Sequence, residues 1–233
     1  MNIFGLQRLT LLDYPEHTAC TVFTSGCNLN CPFCHNSELI HTNKQVYTEE
    51  YVLDFLLTRK NILDGVCITG GEPTLQHDLE YFIISIRNLG FKVKLDTNGT
   101  NPDCLIDLCE KGLLDYVAMD IKNCKQKYAQ TCGIKNIDMN SIEQSVEYLM
   151  NSKKVDYEFR TTVVKNLHTT SDIKNIAKWV NGCNKYFLQK YVLSQNVLDK
   201  RCEPVSDEDM KQLLLTAQNH IGDCTVKLRG VAM

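Results

Sequence analysis

Cys27, Cys31 and Cys34 stand four and then three residues apart in the stretch Gly26-Cys27-Asn28-Leu29-Asn30-Cys31-Pro32-Phe33-Cys34-His35-Asn36. Gly26 and Pro32 bend the backbone into a tight loop around them. Cysteine thiolate is the usual protein ligand of iron–sulfur clusters, so three of them can hold three corners of a [4Fe–4S] cubane. A ferredoxin run would add a fourth cysteine close by, and none follows. A cubane held this way keeps one iron with an open position, where a substrate can bind metal. The other reading is a structural zinc ion, which takes four closed ligands, usually from paired C-x2-C knuckles. Only His35, adjacent to the last cysteine and poorly placed to wrap round the same ion, offers a fourth donor here.

Twelve cysteines would mean disulfides in a small secreted protein. In this chain they are spread over 233 residues with no charged leader before an apolar core. Reduced thiols plus a metal site account for them better. A net charge of −3 leaves no basic footprint for nucleic acid and no strongly acidic tail. No apolar run approaches membrane-spanning length. The expectation is a cytoplasmic protein with neither nucleic acid nor membrane as partner.

The rest of the chain alternates. Short β-branched or apolar runs fall at 19–24, 65–69, 92–95, 116–119, 157–164, 185–192 and 225–228. Helix-like stretches lie between them at 48–59, 75–89, 102–111, 141–150, 171–179 and 206–220, with Thr48, Ser171 and Ser206 as N-caps. Strand–helix alternation predicts an α/β fold with a parallel sheet and helices outside it. Six units suit a partial (βα)6 barrel better than a closed eight-unit one. The whole of 1–233 reads as one domain, completed by the strand–helix–strand of 185–230.

In such sheets the chemistry gathers at the carboxyl ends of the strands. The cysteine loop follows the first predicted strand, Gly70-Gly71-Glu72-Pro73 the second and Asp96-Thr97-Asn98-Gly99 the third. Asp120-Ile121-Lys122 ends the fourth and Arg160 lies in the fifth. Each also has a plain structural reading: a β-to-α turn, an Asx turn, a surface ion pair and a solvated strand arginine with Glu158 to neutralise it. Lys92 and Lys94 share the face of Asp96 in a regular strand, a tension that a bulge or an early strand end could resolve.

The C-x3-C-x2-C loop with Phe33 before its last cysteine resembles the radical S-adenosylmethionine (SAM) enzymes. The following His35-Asn36 narrows the resemblance to activating enzymes of glycyl radical enzymes. Gly5-Leu6-Gln7 and Leu11-Leu12-Asp13-Tyr14-Pro15, leading into Thr21-Val22-Phe23-Thr24, are most similar to anaerobic ribonucleoside-triphosphate reductase activating proteins. Glu16 departs from that group, which usually has glycine after the proline.

The resemblance implies one [4Fe–4S] cluster on Cys27, Cys31 and Cys34, with SAM on its open iron. It implies that Gly70, Gly71 and Glu72 meet the methionine amino group, that Asp120, Lys122 and Arg160 contact SAM, and that Phe33 and Asn36 lie beside it. It places Asp96 and Asn98 near the methionine moiety or a monovalent cation. The implied activity is reductive cleavage of SAM to a 5′-deoxyadenosyl radical that takes hydrogen from a glycine of a partner enzyme. Flavodoxin or ferredoxin would be the reductant. Pyruvate formate-lyase as partner, a small-molecule or peptide substrate, and a bare electron-transfer module are the competing readings. Arg229-Gly230 resembles a terminal feature of the subgroup with no chemistry attached. The other nine cysteines form no C-x2-C pair, so a single cluster is expected.

Overall fold

Runs such as Val66-Cys67-Ile68 are apolar on both faces of a strand, a pattern suited to a sheet covered on both sides. The structure, a computed structural model describing residues 1–231, places them so, with all three side chains fully buried. Eight strands lie side by side in chain order. They are β1 (Ile3–Thr10), β2 (Ala19–Thr24), β3 (Gly65–Gly70), β4 (Lys92–Thr97), β5 (Tyr116–Asp120), β6 (Asp156–Val163), β7 (Lys185–Lys190) and β8 (Thr225–Arg229). β1 is antiparallel to β2, and every later pairing is parallel.

Parallel neighbours need a long crossover. The main crossover helices are α1 (Glu49–Leu57), α2 (Leu79–Asn88), α3 (Pro102–Glu110), α5 (Met139–Asn151), α6 (Thr170–Trp179) and α7 (Asp207–Gln218); the short α4 (Tyr128–Thr131) precedes α5. The result is the expected partial (βα)6 barrel, with β1 added on one edge and β8 on the other. Among the described residues, no helix is long and apolar enough to cross a membrane.

Three local expectations change. β1 is a strand that the pattern of apolar residues did not reveal, because Gly5, Gln7 and Arg8 interrupt its alternation. The second helix begins at Leu79 and not at 75, because Pro73–Leu75 forms a separate 3-10 turn on the Glu72 side chain. The cap of α6 is Thr169, in a capping box with Asp172, and not Ser171. Thr48 and Ser206 cap α1 and α7 as expected, accepting from the N–H groups of Tyr51 and Asp209.

The departure at Glu16 has a structural counterpart. His17 N–H donates to Tyr14 O at 3.2 Å, closing a turn with Pro15 and Glu16 at its centre. Glu16 has φ +63°, the one positive value at a non-glycine among the described residues. A turn with proline first and positive φ second favours glycine in that second place. Tyr14 is buried against the start of the sheet, where Gly65 leaves room for its ring.

Candidate active site at the carboxyl ends of the strands

A cavity of about 770 Å³ opens inside the partial barrel. Every residue that the resemblance assigned to the cluster or to SAM, from Cys27 to Arg160, lines it. Three adjacent strands supply a linked set of its charges. Parallel register sets Asp96 of β4, Asp120 at the end of β5 and Arg160 of β6 on neighbouring strands. Arg160 Nε donates to Asp120 Oδ1 at 3.0 Å and its Nη1 to Asp96 Oδ2 at 3.2 Å. Lys122 Nζ donates to Asp120 Oδ2 at 2.8 Å, and Lys94 Nζ pairs with Asp96 Oδ1. Charges thus alternate from Lys94 through Asp96, Arg160 and Asp120 to Lys122, beginning and ending on a cation.

Burial opposes every one of these charges, and the alternation outweighs it. Arg160 and Lys122 together overcome desolvation to hold the Asp120 carboxyl down at about 2. Arg160 and Lys94 hold Asp96 below the usual carboxylate range against the same penalty. Lys122 is desolvated too, yet Asp120 and then Cys31 keep its ammonium firmly charged. The lysine at 94 is no misplaced surface residue: the strand is regular, and Lys94 is buried as the partner of Asp96. Glu158 forms no ion pair with Arg160, whose direct partners are Asp120 and Asp96. The Glu158 carboxylate is paired instead with Arg229, at 2.6 and 2.8 Å, and accepts from Tyr116 Oη at 2.8 Å. Arg229 also lies over the Phe187 ring at 3.6 Å, so this terminal arginine ties β8 to β6 across β7.

Glu72 is a connector. Its Oε1 accepts from Thr74 N–H at 3.2 Å, Thr74 Oγ1 at 2.6 Å and Thr97 Oγ1 at 2.7 Å, and its Oε2 from Asn98 N–H at 2.7 Å. Burial nevertheless raises its pKa, and those four hydrogen bonds offset only part of that shift. Gly70 and Gly71 permit backbone approach: a Cβ would lie 2.3 Å from Thr24 O at Gly70 and 2.1 Å from Gly26 O at Gly71. That space holds the β3 loop against the cysteine loop, where Gly71 and Glu72 donate their N–H groups to Thr24 O and Gly26 O.

The cysteine loop is fastened on several sides. Asn98 Nδ2 donates to Asn28 Oδ1 at 3.0 Å, and Asn30 N–H to Cys132 O at 2.9 Å. The segment after β7 reaches over from the far side. His35 Nε2 donates to Val192 O at 2.5 Å, its ring stacks on Tyr191, and Asp199 N–H donates to Pro32 O at 2.8 Å. Sequence reasoning missed this strap, whose residues carry no motif.

The donors fit a cubane. All three thiols face the cavity, and burial raises Cys27, up to about 11, and Cys34. Cys31 is drawn down to about 7 by a hydrogen bond from Cys132, with Lys122 assisting against burial. Among the described residues no three His, Cys, Asp or Glu side chains converge on a single ion. The loop brings three sulfurs to that cavity, the number a cubane with one open iron takes, whereas a structural zinc ion takes four closed ligands. Beside them Lys122 keeps donors beyond its bond to Asp120, and Arg160 Nη2 has no protein partner among the described residues, so both can meet a carboxylate.

A parallel partial barrel with three cavity-facing thiols and a cationic flank defines a class of cluster-dependent enzymes. Residues 21–180 match the family model of the Radical SAM superfamily, and the chain belongs to that superfamily. It is 33% identical, over 94% of its length and 88% of the relative's, to a protein of Methanocaldococcus jannaschii provisionally named a glycyl-radical enzyme activating enzyme. A second protein of that organism bearing the same name is 29% identical over 82% of this chain and 74% of its own. Among solved structures, Streptococcus suis SuiB bound to S-adenosylmethionine shares the fold with TM-score 0.70 and 15% identity, over 88% of this chain and 48% of SuiB. The chain thus spans about half of SuiB. The family brings SAM and a [4Fe–4S] cluster as cofactors.

Proposed function

We propose that this chain, acting as one domain over residues 1–233, activates a glycyl radical enzyme. The opening segments 5–7 and 11–15 favour anaerobic ribonucleoside-triphosphate reductase as the partner. When bound, the cluster supplies the electron that splits SAM into methionine and a 5′-deoxyadenosyl radical, which takes hydrogen from a partner glycine. Cys27, Cys31 and Cys34 hold three irons. Lys122 and Arg160 bind the SAM carboxylate, positioned by Asp120 and Asp96. Gly70 and Gly71 present backbone carbonyls to the amino group. Glu72 has one oxygen committed to three donors, so it acts chiefly by fixing Asn98 and Thr97 beside the methionine chain. Phe33 and Asn36 flank the nucleoside, and flavodoxin or ferredoxin delivers the electron.

The observation that carries this reading is the meeting of three thiols and two donor-bearing cations on one cavity wall. The test is anaerobic incubation with SAM, dithionite and the reductase. The expected results are 5′-deoxyadenosine in the product and a glycyl doublet in the partner's electron paramagnetic resonance spectrum. Cys31→Ala abolishes both, together with the brown cluster absorbance. An electron carrier would release no 5′-deoxyadenosine, and an enzyme of another substrate class would release it without the doublet.

A further inference from the structure

Two thiols far from the cavity stand in contact. Cys183 lies in the turn between α6 and β7, and Cys224 lies just before β8. Their Sγ atoms are 3.1 Å apart. The backbone holds them there from both sides. β7 and β8 pair from Lys185 and Thr225 onward, and Thr225 N–H donates to Asn184 O at 3.0 Å. Gly222 N–H donates to Asn181 Oδ1 at 2.7 Å, and Cys183 N–H to Val180 O at 3.0 Å. Among the described residues no third His, Cys, Asp or Glu joins the two sulfurs in a metal-binding group. Cys183 is fully buried and Cys224 is partly exposed, so only one of the two meets an incoming reagent.

We propose that Cys183 and Cys224 are a redox-labile dithiol that closes by exchange with a small-molecule disulfide and clamps β8 to β7 at the amino end of the sheet. The exposed Cys224 attacks as thiolate on one sulfur of the reagent, forming a mixed disulfide and expelling one thiolate. Cys183 then loses its proton and attacks Cys224 Sγ, expelling the second. Two protein thiols are oxidised, one reagent disulfide is reduced to two thiols, and the protons pass to the departing sulfurs. Closure is fast because the second thiol is already in contact with the first. The hydrogen bond between them also lowers the pKa of Cys224, in keeping with its role as the attacking group. β8 is an edge strand with a neighbour on one side only, and its Arg229 reaches Glu158 inside the cavity. A covalent link at its other end restrains the strand that carries that arginine.

The cluster-bearing protein is equilibrated anaerobically with oxidised glutathione, its remaining thiols are alkylated, and its peptides are mapped. The expected result is a linked peptide pair joining Cys183 to Cys224, with loss of both alkylation sites. Slower amide exchange along β8 should accompany it, reversed by dithiothreitol. Cys183→Ser should leave Cys224 as a glutathione adduct, without the slowed exchange. Recovery of both thiols as alkylated residues, or linkage of Cys224 to another cysteine, would overturn the proposal. So would a link that leaves β8 exchange unchanged.

Discussion

Lys94 and Asp96 occupy successive inward positions of β4 and form an ion pair with side chains only 2% and 15% exposed. Arg160 takes the other oxygen of the same carboxylate. Each oxygen of Asp96 therefore already has a cation, supplied by the chain. A sodium or potassium ion beside Asp96 would have to stand against a buried ammonium and a guanidinium. Replacing potassium by tetramethylammonium should leave SAM affinity unchanged, as measured by anaerobic calorimetry.

Removing one partner of a buried pair leaves the other charge uncompensated. Lys94→Met should lower the unfolding free energy by about 3 kcal/mol, read by denaturant titration. Cys67 Sγ, 3.7 Å from Lys94 Nζ, would lose its contact with the ammonium as well.

Glu72→Gln tests the connector role. An amide keeps one acceptor oxygen but turns an N–H2 group toward donors on the other side. The variant should lose about 2 kcal/mol of stability, since a buried donor then faces other donors. Its melting temperature should fall even with no SAM present, which a residue that served only to bind SAM would not show.

Gly71→Ala would place its Cβ 2.1 Å from a backbone oxygen, where no rotamer change gives relief. Overpacking of that kind costs about 3 kcal/mol. The loss should appear as a lower melting temperature and faster release of iron to a chelator, because the displaced atoms belong to Gly26 beside Cys27.

Glu16→Gly should act in the opposite direction. A left-handed backbone costs a non-glycine residue about 1 kcal/mol. The unfolding free energy, read by denaturant titration, should rise by up to about 1 kcal/mol in the glycine variant, with SAM cleavage unchanged.

His168 carries a pH dependence. Its ring is buried, with Nδ1 accepting from Val164 N–H at 3.1 Å and Nε2 donating to Lys122 O at 2.8 Å. Burial lowers its pKa below the ordinary 6.5. The unfolded chain therefore binds more protons at mildly acid pH, and stability falls as pH drops from about 6.5 toward the folded value. Above that window the ring contributes no slope. Denaturant midpoints at about pH 7.5 and about pH 5.5 should differ more for the native chain than for His168→Gln.

Most of the parallel strands and the motif loops were legible because each lies close in sequence to what defines it. A β-branched run ends in Gly70-Gly71, and Asp120 and Lys122 share a face by simple alternation. What could not be read depends on partners distant along the chain. Nothing near Glu158 announces Arg229, and nothing near His35 announces Val192 or Asp199. Lys94 was visible as a tension beside Asp96, but nothing local showed that Asp96 spends its second oxygen on Arg160, two strands away. β1 was missed for a local reason, since Gly5 and the Gln7-Arg8 pair break the period that marks a half-buried strand.

Because the strands lie in chain order, the ribosome delivers the pocket wall by wall. The thiols of the first loop emerge early, and the lattice of Asp96, Asp120 and Arg160 is complete only once β6 has joined. Domains fold as units during synthesis, so one continuous sheet closes its pocket only when the later strands are out. For an interval those sulfurs face solvent with no cationic flank beside them. Metal offered then would meet the thiols without the flank of Lys122 and Arg160 that the finished pocket sets beside them.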